Sequence, residues 1–401
     1  MAAVLLATCD GPSAPDAGED AGHDAGRDAG SDAGHDAGPR DAGHDAGHDA
    51  GPSDPGWAPW VTLEACTFER AERPEAVLRV DWEPCDLVPS CLRPIQRGLN
   101  TSRGWFDGGE GFFQVTSIDD SRRATLALVA VSGRTLAAWR YFLRRGEDVC
   151  LFDLGVGDGT IAIVPGYFDG TLSGRSIEHV FHGPLAALDE MVAPVAIVSP
   201  GVQPQTVAVS ADVIAFWTGA WAVAVDPATG RVVYLNEPLE GIPQNVTVVG
   251  PHVLWEDWAD LVRVAHADLG TAASLFHRAD PGDVKGFGTD GVDLAWFEGY
   301  DRQPDGHYAR LELWTAPYTR DPAALAPRRV RDMDLRGGSM YGGGWYLVRR
   351  GASAGYDIVD VRDGSLRRLE SGGSTLPLYV SEREIMFGSM RFDPHELPVA
   401  D

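Results

Sequence analysis

Five short apolar runs recur along the second half of the chain, about 40 to 49 residues apart. They are Val213–Trp217, Val253–Trp255, Leu294–Phe297, Trp345–Val348 and Ile385–Phe387. Each of the first four is followed by a second apolar run and a turn, as in Ala222-Val-Ala-Val-Asp-Pro-Ala-Thr-Gly230 and Tyr356-Asp-Ile-Val-Asp-Val-Arg-Asp-Gly364. Short β-branched and aromatic runs bounded by Gly, Pro and Asp make strands. The 3.6-residue period is nearly absent, and only Leu185–Met191 offers a helical turn or two. One such unit cannot bury both of its apolar faces alone, so its neighbours must cover them.

A repeat of 40 to 50 residues carrying four strands predicts an all-β propeller. Gly111–Leu154 and Gly159–Ser199 make irregular blades, while Gln205–Asn236, Asn245–His277, Val284–Asp332 and Leu335–Glu370 are regular. The tail, Leu376–Met390, supplies two strands, which Ala76–Trp82 and its neighbour are expected to complete, closing the ring between the two ends. That makes seven blades, with six or eight as alternatives.

Ala224-Val-Asp226-Pro-Ala-Thr-Gly230-Arg-Val-Val-Tyr234 resembles the blade-docking repeat of quinoprotein-type propellers, with Tyr where that family has Trp. Trp345–Glu370, above all Tyr356 to Leu369, resembles a blade of the TolB-like propellers. The resemblance covers four blades, roughly Gln205–Gly372. It implies packing and turns, and carries no function with it.

Ahead of this body, nine copies of Asp-Ala-Gly fill Asp16–Gly51. Ala is their only apolar side chain, Gly maximises the entropy lost on ordering, and the aspartates repel one another. The expected division is therefore a leader at 1–9, a disordered tether at 10–56 and a folded body at 57–401, which holds all twelve tryptophans. As a Gly-rich coil the tether would span roughly 35–40 Å. Its twelve carboxylates against Arg27 and Arg40 make −10 of the total charge of −26, leaving −16 on the body. Phosphate backbones are bound by clustered positive charge, so nucleic acid is not an expected partner.

Leu6-Ala7-Thr8-Cys9 resembles a bacterial lipobox, although Thr precedes the cysteine and no basic segment precedes the apolar run. It implies lipidation at Cys9 and membrane contact through that anchor only; no other stretch reaches the ~18 apolar residues needed to span a bilayer. The remaining Cys66, Cys85, Cys91 and Cys150 are an even set that suits export and two disulfides, with three possible connectivities. Cys85–Cys91 as a local clip, with Cys66–Cys150 as a staple, is the favoured pairing. Cys-x5-Cys lacks zinc-knuckle spacing.

Motifs for catalysis are missing: no Gly-x-Ser-x-Gly, His-Glu-x-x-His, Walker loop or Gly-x-Gly-x-x-Gly follows a strand. Ser210-Ala-Asp212 departs from the sialidase-like Asp box, with Ile214 where Gly is required, and reads as strand. His179 and His182 would point to opposite faces of a strand, and the tether histidines lack a helix to align them. Gly337–Gly344 reads as a loop. No metal or cofactor site is identifiable; a quinone would need more polar ligands. The links between second and third strands share one rim and carry Trp221, Asp257, Trp258, Tyr300, Asp301, His307 and Tyr308 as candidate binding residues. The expectation is a surface-tethered, non-catalytic binding or scaffolding module of the bacterial envelope, with an envelope protein, peptide or glycan as partner. The alternative is an exported hydrolase, lyase or quinone-dependent oxidoreductase.

Overall fold

The structure, a computed structural model, describes residues 57–63, 66–96, 99–118, 124–143, 149–168, 175–177, 179–191, 193–195, 206–217, 222–235, 244–256, 262–266, 272–276, 283–303, 308–333, 339–350, 355–370 and 377–400. The helical turns among them are 3-10 turns, including Leu185–Glu190 where the sequence offered its one helical stretch. The rest of the regular structure is antiparallel sheet, and the described strands make seven sheets.

The sheets follow the chain. In sheet one, Asn100–Asp107, Glu110–Ile118, Ala124–Ala130 and Thr135–Leu143 lie in order, extended outward by Cys66–Ala71 and Trp57–Thr62. Sheet two starts at Val149–Gly157 and Thr160–Phe168, with Arg175–Ile177 and Phe181–Pro184 both paired to the latter. Sheets three and four run from Val207–Val209 to Val232–Tyr234 and from Gln244–Val249 to Ala272–Phe276. Sheet five comprises Asp283–Thr289, Asp293–Arg302, Tyr308–Pro317 and Arg328–Met333. Sheet six comprises Ser339–Gly342, Trp345–Arg349, Tyr356–Asp360 and Leu366–Leu369, plus Val399–Ala400 on its outer edge. Sheet seven takes Pro377–Val380, Ile385–Phe387 and Met390–Phe392 from one end of the chain, and Leu92–Pro94 and Trp82–Pro84 from the other.

The first strands touch in cyclic order, each meeting the next and Pro377–Val380 meeting Asn100–Asp107. Seven apolar layers of described residues lie between successive sheets, the last joining Phe113, Val115 and Val129 of sheet one to Leu378, Tyr379 and Met386 of sheet seven. A sheet covered on both faces needs continuous apolar runs rather than alternation. Sheet three has this pattern, buried throughout Val207–Val209 and Ala222–Val225, while its outer strand Val232–Tyr234 is partly open. The ring expected from the periodicity is the one observed.

Several boundaries differ from the sequence reading. The first blade begins at Asn100 rather than Gly111, and Val149–Gly157 belongs to the second. Ala76–Val80 is not a strand. Pro74–Ala76 makes a 3-10 turn, and the Val80 amide donates to Gly133 O at 3.2 Å, which ties this segment to sheet one. The sheet-seven contribution starts only at Trp82, and the tail supplies three strands rather than two. Ser210–Val213 is a turn, not a strand, closed by Ser210 N donating to Val213 O at 2.9 Å.

The disulfides are Cys85–Cys91, with Cα atoms 5.2 Å apart, and Cys66–Cys150, 5.9 Å apart across 84 residues. This is the pairing favoured from loop length. The first clips the hairpin that completes sheet seven. The second joins the outer strands of sheet one to sheet two. No helix among the described residues is long and apolar enough to cross a membrane.

Candidate functional site

The turns between first and second strands all lie on one face of the ring, because every sheet runs the same way around it. Two designs recur. Ser210, Thr289 and Ser381 each use a side-chain oxygen to close the turn, as when Glu384 N donates to Ser381 Oγ at 3.0 Å. In sheet six the link is the pair Gly343-Gly344, both at positive φ, which is the two-residue hairpin that glycine permits. Gly337–Gly344 is therefore not a loop: its described part is the first strand of sheet six and this tight turn. A Cβ on Gly342 would collide with Val380 O, and one on Gly343 with Glu382 N, so both glycines let sheet six approach sheet seven near the axis.

A cavity of about 240 Å³ opens on this face, where sheets five, six, seven and one converge. Phe106, Asp290, Val292, Tyr341, Gly343 and Glu382 line it, together with Ser381. Asp290 Oδ1 accepts the amides of Val292 and Asp293 at 3.0 and 2.9 Å, and Tyr341 Oη donates to Asp290 Oδ2 over a longer 3.3 Å. Burial, reinforced by Asp290 and Asp293, pushes the Tyr341 phenol well up. Burial and then Asp290 also raise the Asp293 carboxyl. Behind Glu382, Arg362 is held by both oxygens of Asp360 at 2.7 and 2.9 Å and stands 3.7 Å from Glu382. Its guanidinium lies over Trp345, whose Nε1 donates to Glu382 O at 2.9 Å. Among the described side chains lining the cavity, therefore, the hydroxyl donors are committed to the fold, while carboxylate oxygens of Asp290 and Glu382 keep acceptor capacity.

Sequence reasoning placed its candidates on the opposite face. Trp221, Asp257, Trp258 and His307 lie outside the described residues, as does Cys9. Tyr300, Asp301 and Tyr308 are described, and the two tyrosines are not brought together. Tyr300 Oη donates to Glu298 Oε2 at 2.6 Å on the side that carries Trp296, and Arg310 covers its ring at 4.4 Å. Tyr308 packs where a Cβ on Gly299 would be, in the layer shared with sheet six. Between them Asp301 takes a φ of 56°.

Sequence reasoning also missed three buried glutamates, Glu256, Glu298 and Glu312, 3%, 1% and 7% exposed. A carboxylate inside an apolar strand, as in Leu294-Ala-Trp-Phe-Glu298, was the available signal. Trp296 Nε1 donates to Glu298 at 3.0 Å, and Glu312 meets Arg329 at 3.2 Å. Asp153, read as turn chemistry, lies in a first strand and pairs with Arg103. His179 precedes the strand that holds His182, whose pKa burial lowers.

No protein-family model matches this sequence, and no curated protein matches it. Solved structures do. An oligogalacturonate lyase in complex with manganese superposes with a TM-score of 0.53 at 14% identity, over 80% of this chain and 96% of that one. The oligogalacturonate lyase of Vibrio parahaemolyticus gives 0.50 at 11% identity, over 78% and 96%. The β-propeller domain of Swd1 from Myceliophteria thermophila gives 0.48 at 11%, over 78% and 98%. The chain folds as a β-propeller. Identities this low carry the fold and leave the chemistry to the site. Among the described residues no three His, Cys, Asp or Glu side chains gather as a metal ligand set.

Proposed function

We propose that this propeller is an exported, envelope-tethered binding module that holds part of an envelope protein, peptide or glycan in the axial cavity without transforming it. The observation that carries the reading is the cavity itself: four sheets converge there, and acceptor oxygens of Asp290 and Glu382 remain beside the rings of Phe106 and Tyr341. Concave sites with a few convergent polar groups are where ligands bind. Export is supported by the two disulfides, which persist in oxidising compartments. Anchoring rests on acylation of Cys9, with the Asp-Ala-Gly segment as spacer. Labelled palmitate should enter the protein and be absent from Cys9→Ser.

Val292 lines the cavity and is 65% exposed, so Val292→Trp obstructs the mouth without disturbing the interior. Full-length protein is titrated calorimetrically against a panel of peptides and oligosaccharides. The expected result is binding that Val292→Trp abolishes at unchanged Tm. Binding that survives Val292→Trp removes the cavity as the site, and turnover of any panel member replaces the binding reading with the enzymatic one.

A further inference from the structure

Among the described side chains at the cavity the hydrogen-bonding capacity is one-sided, and this sets the chemistry of what it can hold. Ser381 Oγ is spent inside its own turn, accepting from Glu384 N and donating to Glu384 O, both at 3.0 Å. Thr289 Oγ1 likewise accepts from Gly291 N at 3.0 Å and donates to Asp293 O at 2.8 Å. Tyr341 gives its only proton to Asp290. The guanidinium of Arg362, 3.7 Å from Glu382, is bound by both oxygens of Asp360. What faces the cavity from Asp290 and Glu382 is therefore acceptor oxygen, flanked by two aromatic rings. Glu382 retains a side chain 66% exposed, and its ion pair among the described residues, with Arg362, is long, at 3.7 Å.

A carbohydrate hydroxyl both donates and accepts, and a carboxylate or phosphate only accepts; neither uses a wall of this kind fully. A guanidinium or ammonium group only donates, and it also gains from an aromatic face. We infer that the cavity takes the cationic head of an arginine or lysine side chain presented by a partner peptide. This rests on the cavity being the binding site, and it narrows the proposed partners to a basic peptide or protein segment. A stem of three or four methylenes would lie along Phe106 and Val292 while the head reaches Asp290 and Glu382, as long cationic side chains do at amphipathic surfaces.

The probe is the capped tripeptide acetyl-Gly-Arg-Gly-amide, compared with the same peptide carrying citrulline, which keeps the shape and removes the charge. Full-length protein is titrated with each. The expected result is arginine peptide binding at least tenfold tighter than citrulline peptide. Glu382→Gln and Asp290→Asn, which keep the side-chain shape, should each weaken the arginine peptide about fivefold or more and leave the citrulline peptide unchanged. Equal binding of the two peptides, no binding of the arginine peptide, or indifference to both substitutions overturns the inference. If panel ligands are still lost in Val292→Trp while the two charge-removing variants change nothing, the cavity stands as the site and only its cation preference falls. If Val292→Trp has no effect on any ligand, the cavity itself is wrong.

Discussion

The amide of Ser90 donates to a carboxylate oxygen of Glu396 at 2.8 Å, joining residues 306 positions apart. Ser90 Oγ in turn accepts from Asp393 N at 2.9 Å, and Arg391 lies 4.9 Å over the ring of Trp82. These contacts hold the two chain ends together in sheet seven, where backbone pairing between the ends is confined to Arg391 and Leu92. Glu396→Ala is expected to lower stability by about 1 kcal/mol, the usual net loss for a solvent-exposed hydrogen bond. Urea unfolding checks this, and hydrogen exchange should show the change concentrated in Trp82–Pro94.

Reduction should separate the two disulfides by their loops. Chain-entropy reasoning gives about 4–5 kcal/mol for a closure spanning 84 residues and about 2 kcal/mol for one spanning six. Cys66→Ser with Cys150→Ser should therefore cost more than Cys85→Ser with Cys91→Ser, measured as urea midpoints under oxidising conditions. The reverse order would mean that the short clip is what keeps the ring shut.

Glu298 is a structural carboxylate by this reading, receiving Trp296 Nε1 and Tyr300 Oη. Glu298→Ala removes the acceptor that both donors share and should cost about 2–4 kcal/mol. If Glu298 instead served a ligand, the variant would fold normally and lose binding. Tm and calorimetry together separate these outcomes.

Alkali should unfold the ring near the range where free phenols ionise. Burial raises the phenols of Tyr141, Tyr318, Tyr341, Tyr346, Tyr356 and Tyr379. Above about pH 10 the unfolded chain releases these protons while the folded chain keeps them. Stability is therefore full below that pH and is lost as pH climbs towards the folded values. Tyrosinate absorbance and loss of sheet circular dichroism should rise in one coincident step.

Asp293 works in the same direction at the acidic end. Its raised pKa means that its contribution is favourable below the unfolded value of about 4 and is lost as pH rises through the folded one. Asp293→Asn should raise Tm slightly at pH 7, and the advantage should vanish as pH falls to about 4. A lower Tm at pH 7 would show that the ionised carboxylate is needed by Arg328 or Arg362.

The regular blades were legible because a sheet covered on both faces must be apolar along its length, as Ile214–Trp217 and Trp345–Val348 are. Asn100–Asp107 was not legible. Its first half, Asn-Thr-Ser-Arg, lies at the axis where burial is incomplete, so no hydrophobic pattern marks it. The clip and the staple followed from cysteine spacing, and the closing sheet from the short tail. The cavity could not be read in advance, because Phe106 comes from a strand end while Asp290, Gly343 and Glu382 come from three separate turns, where each looks like ordinary turn chemistry by itself. Tyr300 and Tyr308 lie at the same hairpin end, as read from the sequence, but with the left-handed residue Asp301 between them their rings turn to opposite layers.

The staple at Cys66–Cys150 also fixes how the body would respond to a pull on its N-terminal end. Tension entering at Trp57 would peel Trp57–Thr62 from Cys66–Ala71 and then meet a covalent bond. From there the load passes directly to Cys150, and the hairpin Trp82–Pro94 that fastens the ring is bypassed. A shear force that would open a non-covalent latch is thus diverted into the wall of sheet two.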